Sequence, residues 1–245
     1  MSYIGFESNY EYTQENYSPH GVFLNLKEDL ECYITGEKNS KSAIIYLYDV
    51  FCMHPKAYKG ADFFAENGYR VIIPDLLRNH PVRVEMLGDM QRIISRLNRD
   101  GSYKKLERDF KDIKDYLVNV ENFERVFLVG FGWGAKKAME LSAHDDFYLG
   151  GALFYPSFLE MKDFEKSQAP MIIQSSKQDP DFTKGFAILK SKAFGRFCYL
   201  QIYDDMIHGF ASGRGDCGNP KVKARTNEAF STVLRYFYKI LNIKP

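Results

Sequence analysis

The stretch VFLVGFGWGAK, residues 126–136, decides the fold. It begins with the apolar run of a buried β-strand and leads directly into a glycine-rich turn and helix-forming residues. Some enzymes present a nucleophile from the middle residue of such a strand, turn and helix. Here that residue is Gly132, which has no side chain and cannot attack a carbonyl carbon. Whether the chain is an enzyme therefore depends on this position.

The Gly130 to Gly134 turn is expected to lift residue 132 to the top of the sheet, beside a helix N-terminus that favours an anion. A central residue in such a turn adopts a positive φ, which glycine does at little cost. A plain glycine-rich nucleotide loop is the alternative. It is the weaker one, because the glycine spacing lacks the third glycine of a dinucleotide fingerprint.

On both sides of this stretch, short apolar runs alternate with longer amphipathic segments, which is typical of βα units and a mostly parallel sheet. The predicted strands are residues 42–49, 69–75, 125–130, 148–156, 170–176 and 196–203. The predicted helices lie near residues 57–67, 103–119, 134–144, 182–193 and 221–242. The predicted fold class is α/β, with helices on both faces of a mostly parallel central sheet.

Three segments fall outside this alternation. Residues 21–35 predict an antiparallel hairpin at one edge of the sheet. Residues 76–102 are too long for an ordinary connection and predict a small helix in a cap over the carboxyl edge of the strands, or plain surface packing. Residues 1–19 form an extension with five aromatic side chains, either a frayed terminus or a docking arm for other subunits. The remaining residues, 20–245, predict one domain.

Composition excludes several classes of function. Lys plus Arg total 33 against 32 Asp plus Glu, so charge gives no reason to expect a nucleic acid or an anionic membrane as partner. The four cysteines are scattered and have no histidine at metal spacing, so neither a zinc site, another metal nor a disulfide framework is predicted. No cofactor motif was identified. With no signal or membrane segment predicted, the expected location is the cytoplasm.

Two side chains could work with the turn. Asp179 follows the predicted strand 170–176, and His208 follows the predicted strand 196–203. Loops that follow parallel strands meet at one edge of the sheet, so both side chains can approach Gly132. The order of turn, acid and histidine is that of the α/β-hydrolases.

The chain resembles the dienelactone hydrolase family, particularly its eukaryotic branch. The residues that carry the resemblance are GFGWGAK at 130–136, where the family usually has GFCWGGK, and HGFASGRGDCGNPKVKARTNEAF at 208–230. The stretches YITGEKNSKSAIIYLYDVFC, AENGYRVIIPDLLR and YPSF, of which YPSF is residues 155–158, also match. The resemblance covers roughly residues 20–243 and implies an α/β-hydrolase fold.

The resemblance also implies roles for individual residues. Asp179 corresponds to the triad acid, His208 to the triad base and Gly132 to the missing nucleophile. The amides of Val50 and Trp133 correspond to the oxyanion hole. Asp49, Arg214 and Cys52 are candidate substrate-binding residues: Asp49 corresponds to an acidic residue that contacts the nucleophile, Arg214 lies near the arginine that binds a substrate carboxylate, and Cys52 borders the same pocket.

Two hypotheses of function follow. The favoured one is a pseudoenzyme that lost its nucleophile at Gly132 and serves as a scaffold subunit or binds a small carboxylate or carbonyl ligand. The alternative is an active hydrolase of small esters or lactones that uses Cys52 or a water activated by His208. Complete loss of the site would not explain why the chain retains both Asp179 and His208.

Overall fold

An eight-stranded, mostly parallel β-sheet forms the centre of the protein. The computed structural model describes residues 17–27, 29–83, 86, 88–216 and 218–243. The strands are β1 (Val22–Leu26), β2 (Leu30–Thr35), β3 (Ser42–Leu47), β4 (Tyr69–Pro74), β5 (Val126–Phe131), β6 (Gly150–Phe154), β7 (Met171–Ser176) and β8 (Tyr199–Tyr203). Their order across the sheet is β1-β2-β4-β3-β5-β6-β7-β8. From β4 to β8 all neighbours are parallel.

The antiparallel hairpin predicted at one edge is confirmed. It consists of β1 and β2, and β2 continues the sheet by pairing antiparallel with β4. The central strands β3, β4 and β5 are buried at every position, as expected of strands covered on both faces.

Seven α-helices are described. They are α1 (Pro55–Glu66), α2 (Met90–Asp100), α3 (Tyr103–Asp115), α4 (Trp133–His144), α5 (Met161–Lys166), α6 (Thr183–Ser191) and α7 (Pro220–Ile243). A π-helical turn, Tyr116–Val120, extends α3, so the predicted helix at 103–119 is continuous but changes pitch near its end. Helix α5 was not predicted, because six residues are too few to show a helical period.

The helices cover both faces of the sheet. The chain steps one way from β3 to β4 and the other way from β5 to β8, and right-handed crossovers place the two sets of helices on opposite faces. On one face, Phe64 of α1 stacks on Phe230 of α7 at 5.2 Å between ring centroids, and Phe230 also contacts Phe131 and Phe154 of the sheet. On the other face, α4 packs against α3 and α5.

Segment 76–102 contains the helix expected there, α2. Its N-terminal residue Asp89 accepts a hydrogen bond from the amide of Arg92, which caps the first turn. Among the described residues, no helix is both long and apolar enough to cross a membrane. Of the N-terminal extension, residues 1–16 lie outside the described residues, and Tyr17 donates a hydrogen bond to Asp62 of α1 at 2.8 Å.

Candidate active site

The glycine-rich turn connects β5 to α4. Gly132 immediately precedes α4, with φ of 50° and ψ of −109°, a conformation that glycine adopts far more readily than other residues. Its amide donates to the carbonyl of Phe154, at 3.0 Å between N and O. The backbone at residue 132 is therefore positive in φ, as the sequence predicted.

The glycines of this turn differ in how much room surrounds them. A Cβ at Gly134 would lie 2.1 Å from the carbonyl oxygen of Leu47, so that position requires glycine for close packing of α4 on β3. A Cβ at Gly132 would have the Cβ of Asp49 at 3.4 Å and the Oγ of Ser157 at 3.7 Å, which are ordinary contacts. A Cβ at residue 132 would therefore be accommodated without a clash, although the positive φ disfavours residues other than glycine.

Asp179 and His208 lie together, as the sequence predicted. His208 Nδ1 is 2.5 Å from Asp179 Oδ1, and the Asp179 side chain is fully buried while that of His208 is 20% exposed. Because a carboxylate only accepts hydrogen bonds, Nδ1 is the donor and Nε2 is left as an acceptor. Asp179 also accepts from the amide of Ser176, and Gln178 accepts from the amide of His208. The imidazole is thus held in one orientation.

A hydroxyl group faces the other nitrogen of this imidazole. Ser157 Oγ lies 3.4 Å from His208 Nε2, within the distance of a long hydrogen bond. Ser157 belongs to the stretch YPSF, residues 155–158, and was not among the residues predicted for the site. One signal could have found it: Ser157 follows β6, the parallel neighbour of β5, so it emerges at the same edge of the sheet as Gly132.

Asp49 is a buried carboxylate next to the turn. Its oxygens accept from the amides of Phe51 (3.0 Å) and Gly213 (3.3 Å) and from the hydroxyl of Tyr155 (3.2 Å). Burial alone would raise the pKa of Asp49, but the hydrogen bonds, with His54 the largest contributor, outweigh it and hold the pKa below its usual value. Asp49 is therefore a stable anion in this structure.

A cleft brings most of the predicted site residues together. It encloses about 460 Å³, part of it open to solvent. Its lining includes Gly132 and His208 with the predicted residues Asp49, Val50, Trp133 and Arg214, and also Phe51, Met90, Ile93, Tyr155, Ser157, Phe158 and Gly209. Met90 and Ile93 belong to α2, so segment 76–102 contributes to the wall of the cleft.

The walls of the cleft differ in polarity. Trp133 opens α4, where the first amides have no acceptor within the helix and can bind an anionic oxygen. The stem of Arg214 packs across Gly209, whose φ of 87° and lack of a side chain permit the close approach. Arg214 is only 8% exposed, so its charge lies at a sheltered part of the cleft.

Cys52 lies apart from the other predicted residues. Its side chain is 1% exposed and is not among the residues that line the cleft. Burial, followed by the nearby charge of Asp75, raises the pKa of the Cys52 thiol to about 12. A thiol that stays protonated near neutral pH is a poor nucleophile. Among the described residues, no three His, Cys, Asp or Glu side chains are grouped as metal ligands would be.

Comparison with known proteins shows relatives in both sequence and fold. Residues 30–241 match the dienelactone hydrolase family. The chain is 25% identical to an AIM2 family protein of Schizosaccharomyces pombe, covering 94% of this chain and 95% of that protein. It is 20% identical to the human carboxymethylenebutenolidase homolog, with 87% and 89% covered. The crystal structure of a dienelactone hydrolase from Anabaena variabilis superposes with a TM-score of 0.61 at 14% identity, covering 89% of this chain and 98% of that one, which shows the α/β-hydrolase fold. The chain belongs to the dienelactone hydrolase family.

Proposed function

We propose that this protein hydrolyses small esters or lactones with the Asp179–His208 pair, without a nucleophile from residue 132. The observation that carries the proposal is the imidazole of His208, which is oriented by Asp179 at 2.5 Å and directs Nε2 towards a cleft. A histidine held in this way is a general base for a hydroxyl group or a water molecule. Loss of the usual nucleophile at Gly132 is part of the proposal.

The cleft also contains candidate groups for stabilising the oxyanion and for binding the substrate. The amides of Val50 and Trp133, which line it, are the proposed donors to the negative oxygen that develops on the carbonyl. Arg214 is the proposed partner of a substrate carboxylate. The name of the human relative, carboxymethylenebutenolidase homolog, supports a lactone that carries a carboxylate as the substrate class.

A hydrolase without the usual nucleophile is expected to be slow. In serine proteases, removing one triad member leaves a rate of about 10³ to 10⁴ times that in water, because oxyanion stabilisation and binding remain. The activity expected here comes from these two sources together with general-base catalysis by His208.

We also propose that the protein is located in the cytoplasm. The free thiols of Cys32, Cys52 and Cys198 agree with a reducing compartment.

Turnover of activated esters and small lactones by the purified full-length protein tests this function. The wild type is expected to exceed the rate in buffer, and His208→Ala is expected to lose most of that excess. Asp146→Asn is the matched control, since Asp146 is exposed and lies in the loop that precedes β6, at the edge of the parallel strands opposite the site. Equal rates for wild type and His208→Ala would reject a hydrolytic role for the pair.

A pseudoenzyme is the second candidate, and Gly132 is the observation that favours it, because glycine offers no atom to attack a carbonyl. The protein would then bind a small carboxylate or carbonyl compound, or act as a scaffold subunit through the N-terminal extension, residues 1–19. Stabilisation by small carboxylates without turnover supports the binding role, since a ligand at 100 times its Kd stabilises by about 2.7 kcal/mol. Isolation of the protein within a large complex supports the scaffold role.

A further inference from the structure

The backbone around Ser157 is unusual. Tyr155 has φ of 36° and Phe158 has φ of 62°, so two residues with side chains adopt positive φ within four positions, with Pro156 between them. Such conformations are costly and persist where the surrounding structure enforces them, and they concentrate at functional sites. The loop after β6 therefore holds the Ser157 side chain in a direction that a relaxed loop would not select.

Backbone hydrogen bonds fix this loop to the glycine-rich turn. The amide of Ser157 donates to the carbonyl of Gly132, and the amide of Gly132 donates to the carbonyl of Phe154, each at 3.0 Å. The Tyr155 ring also packs edge-on against the His208 imidazole, with centroids 5.0 Å apart. The hydroxyl of Ser157 is consequently fixed with respect to both Gly132 and His208.

The Ser157 hydroxyl lies close to the position that a side chain on residue 132 would occupy. Ser157 Oγ is 3.7 Å from the point where a Cβ on residue 132 would lie, and 3.4 Å from His208 Nε2. Ser157 is partly exposed and lines the cleft, so a substrate carbonyl can reach it. Asp179, His208 and Ser157 form a chain of acid, base and hydroxyl groups in the order of a catalytic triad.

We propose that Ser157 is the nucleophile of this protein. The inference rests on the proposed hydrolytic function and names the atom that attacks. Ser157 Oγ forms a bond to the carbonyl carbon while its proton passes to His208 Nε2, and the π electrons of the C=O bond move to its oxygen, which becomes an oxyanion. Asp179 stabilises the resulting imidazolium. The C=O double bond re-forms as the bond from this carbon to the leaving oxygen breaks, and the leaving oxygen takes the proton from Nε2. Water then cleaves the acyl-serine by the same steps, and Ser157 regains its proton.

Other candidate nucleophiles are less suitable. The Cys52 thiol does not line the cleft. The Tyr155 hydroxyl is fully buried and donates to the Asp49 carboxylate. Ser212 lies beside His54, whose Nε2 is 3.4 Å from its Oγ, but Ser212 is 3% exposed and outside the cleft lining. Among the described hydroxyl and thiol groups near the turn, only that of Ser157 both lies within hydrogen-bond distance of a histidine nitrogen and belongs to a residue that lines the cleft.

Active-site labelling with a fluorophosphonate tests the inference, because this reagent needs an activated serine and no knowledge of the natural substrate. The full-length protein is digested after labelling, and peptides are mapped by mass spectrometry. The label is expected on Ser157, to be abolished by Ser157→Ala and His208→Ala, and to persist in Ser175→Ala, a control at a buried serine of β7 outside the cleft lining. A wild type without label on Ser157 would overturn the inference.

Kinetics of the same variants separate the two proposals. Ser157→Ala is expected to lower kcat/KM for an activated ester at least about 100-fold, and Ser157→Cys, which keeps a nucleophile, is expected to form an acyl-enzyme. The backbone bond to Gly132 survives both changes, and circular dichroism is expected to show the native fold. If turnover is lost in His208→Ala but retained in Ser157→Ala, a water molecule is the nucleophile and only this inference fails. If no variant differs from the wild type, the proposed function fails as well.

Discussion

The backbone N–H of Ser157 donates a hydrogen bond to the carbonyl oxygen of Gly132, at 3.0 Å. This bond joins the loop after β6 to the turn after β5, two neighbouring parallel strands. A Cβ on residue 132 would lie 3.7 Å from Ser157 Oγ. The bond therefore holds the Ser157 side chain beside the turn.

A nucleophilic side chain at residue 132 should create a second route for ester cleavage. Gly132→Cys is expected to raise the rate of ester cleavage on the order of 100-fold and to form a thioester, because its Cβ meets only ordinary contacts and its thiol approaches His208. Gly132→Ala is the matched control and adds a Cβ without a nucleophile. Both are expected to lose about 1–3 kcal/mol of stability because φ is positive.

Pre-steady-state kinetics with an activated ester measures this gain. The thioester is expected in Gly132→Cys even when Ser157→Ala is also present, since residue 132 then supplies the nucleophile. A Gly132→Cys protein that folds but reacts no faster than Gly132→Ala would contradict the geometry inferred for the turn.

Removing the charge of Asp179 should affect turnover far more than substrate binding. Asp179→Asn cannot favour the tautomer of His208 that leaves Nε2 as an acceptor, and the analogous change in a serine protease costs about 10⁴-fold in kcat. Turnover is therefore expected to fall to the rate in buffer while KM, where measurable, changes little. Retention of wild-type kcat in Asp179→Asn would show that the orientation of the imidazole is irrelevant to the reaction.

Asp49 should contribute stability that depends on pH. Its folded-state pKa lies below the unfolded value of 3.8, so its contribution is complete above that value and is lost as the pH falls through the folded-state pKa. Asp49→Asn is expected to cost about 1–3 kcal/mol at pH 7, because its new amide group opposes buried donors. Urea unfolding at pH 7 and below pH 4 measures the free energy of unfolding of the wild type and of Asp49→Asn.

The difference between Asp49→Asn and the wild type is expected to shrink at the lower pH. Asp146→Asn, at an exposed position, should stay within about 0.5 kcal/mol of the wild type throughout. An Asp49→Asn penalty that is the same at both pH values would show that the carboxylate charge is not what the surrounding donors stabilise.

Cys52 should be dispensable for turnover. Its thiol is buried, has a pKa of about 12 and does not line the cleft. Cys52→Ala is expected to retain activity within about 2-fold, far below the 10²-fold or greater loss expected for a catalytic group. Iodoacetamide at neutral pH is expected to leave the native thiol unmodified in peptide mapping. A loss of turnover in a folded Cys52→Ala protein would restore the cysteine as a candidate.

The sequence was sufficient for most of the fold because its signals are local. The apolar runs that became β3, β4 and β5 are continuous, and loops after parallel strands meet at one edge whatever their exact length, which brought Asp179 near His208. Ser157 was missed for a different reason. Its side-chain direction depends on positive φ at Tyr155 and Phe158, and neither residue type signals such a backbone in the sequence.

Cys52 is the converse case, a residue that the sequence placed at the pocket and that does not line the cleft. It follows β3 at the correct edge of the sheet, so position alone made it a candidate for the pocket. Its φ of 63° accompanies burial of its side chain, and that burial, followed by the charge of Asp75, raises the pKa of the thiol. Which way a side chain points at the end of a strand is set by the loop backbone, and composition does not encode that locally.

Trapping of the acyl-enzyme tests the central claim most directly. The full-length protein is mixed with p-nitrophenyl acetate, quenched with acid within the first turnover and digested, and the peptides are sequenced by mass spectrometry. One acetyl group is expected on Ser157 in the wild type and none in His208→Ala. Ester cleavage above the rate in buffer with no acetyl group on Ser157 would contradict a nucleophilic role for this serine.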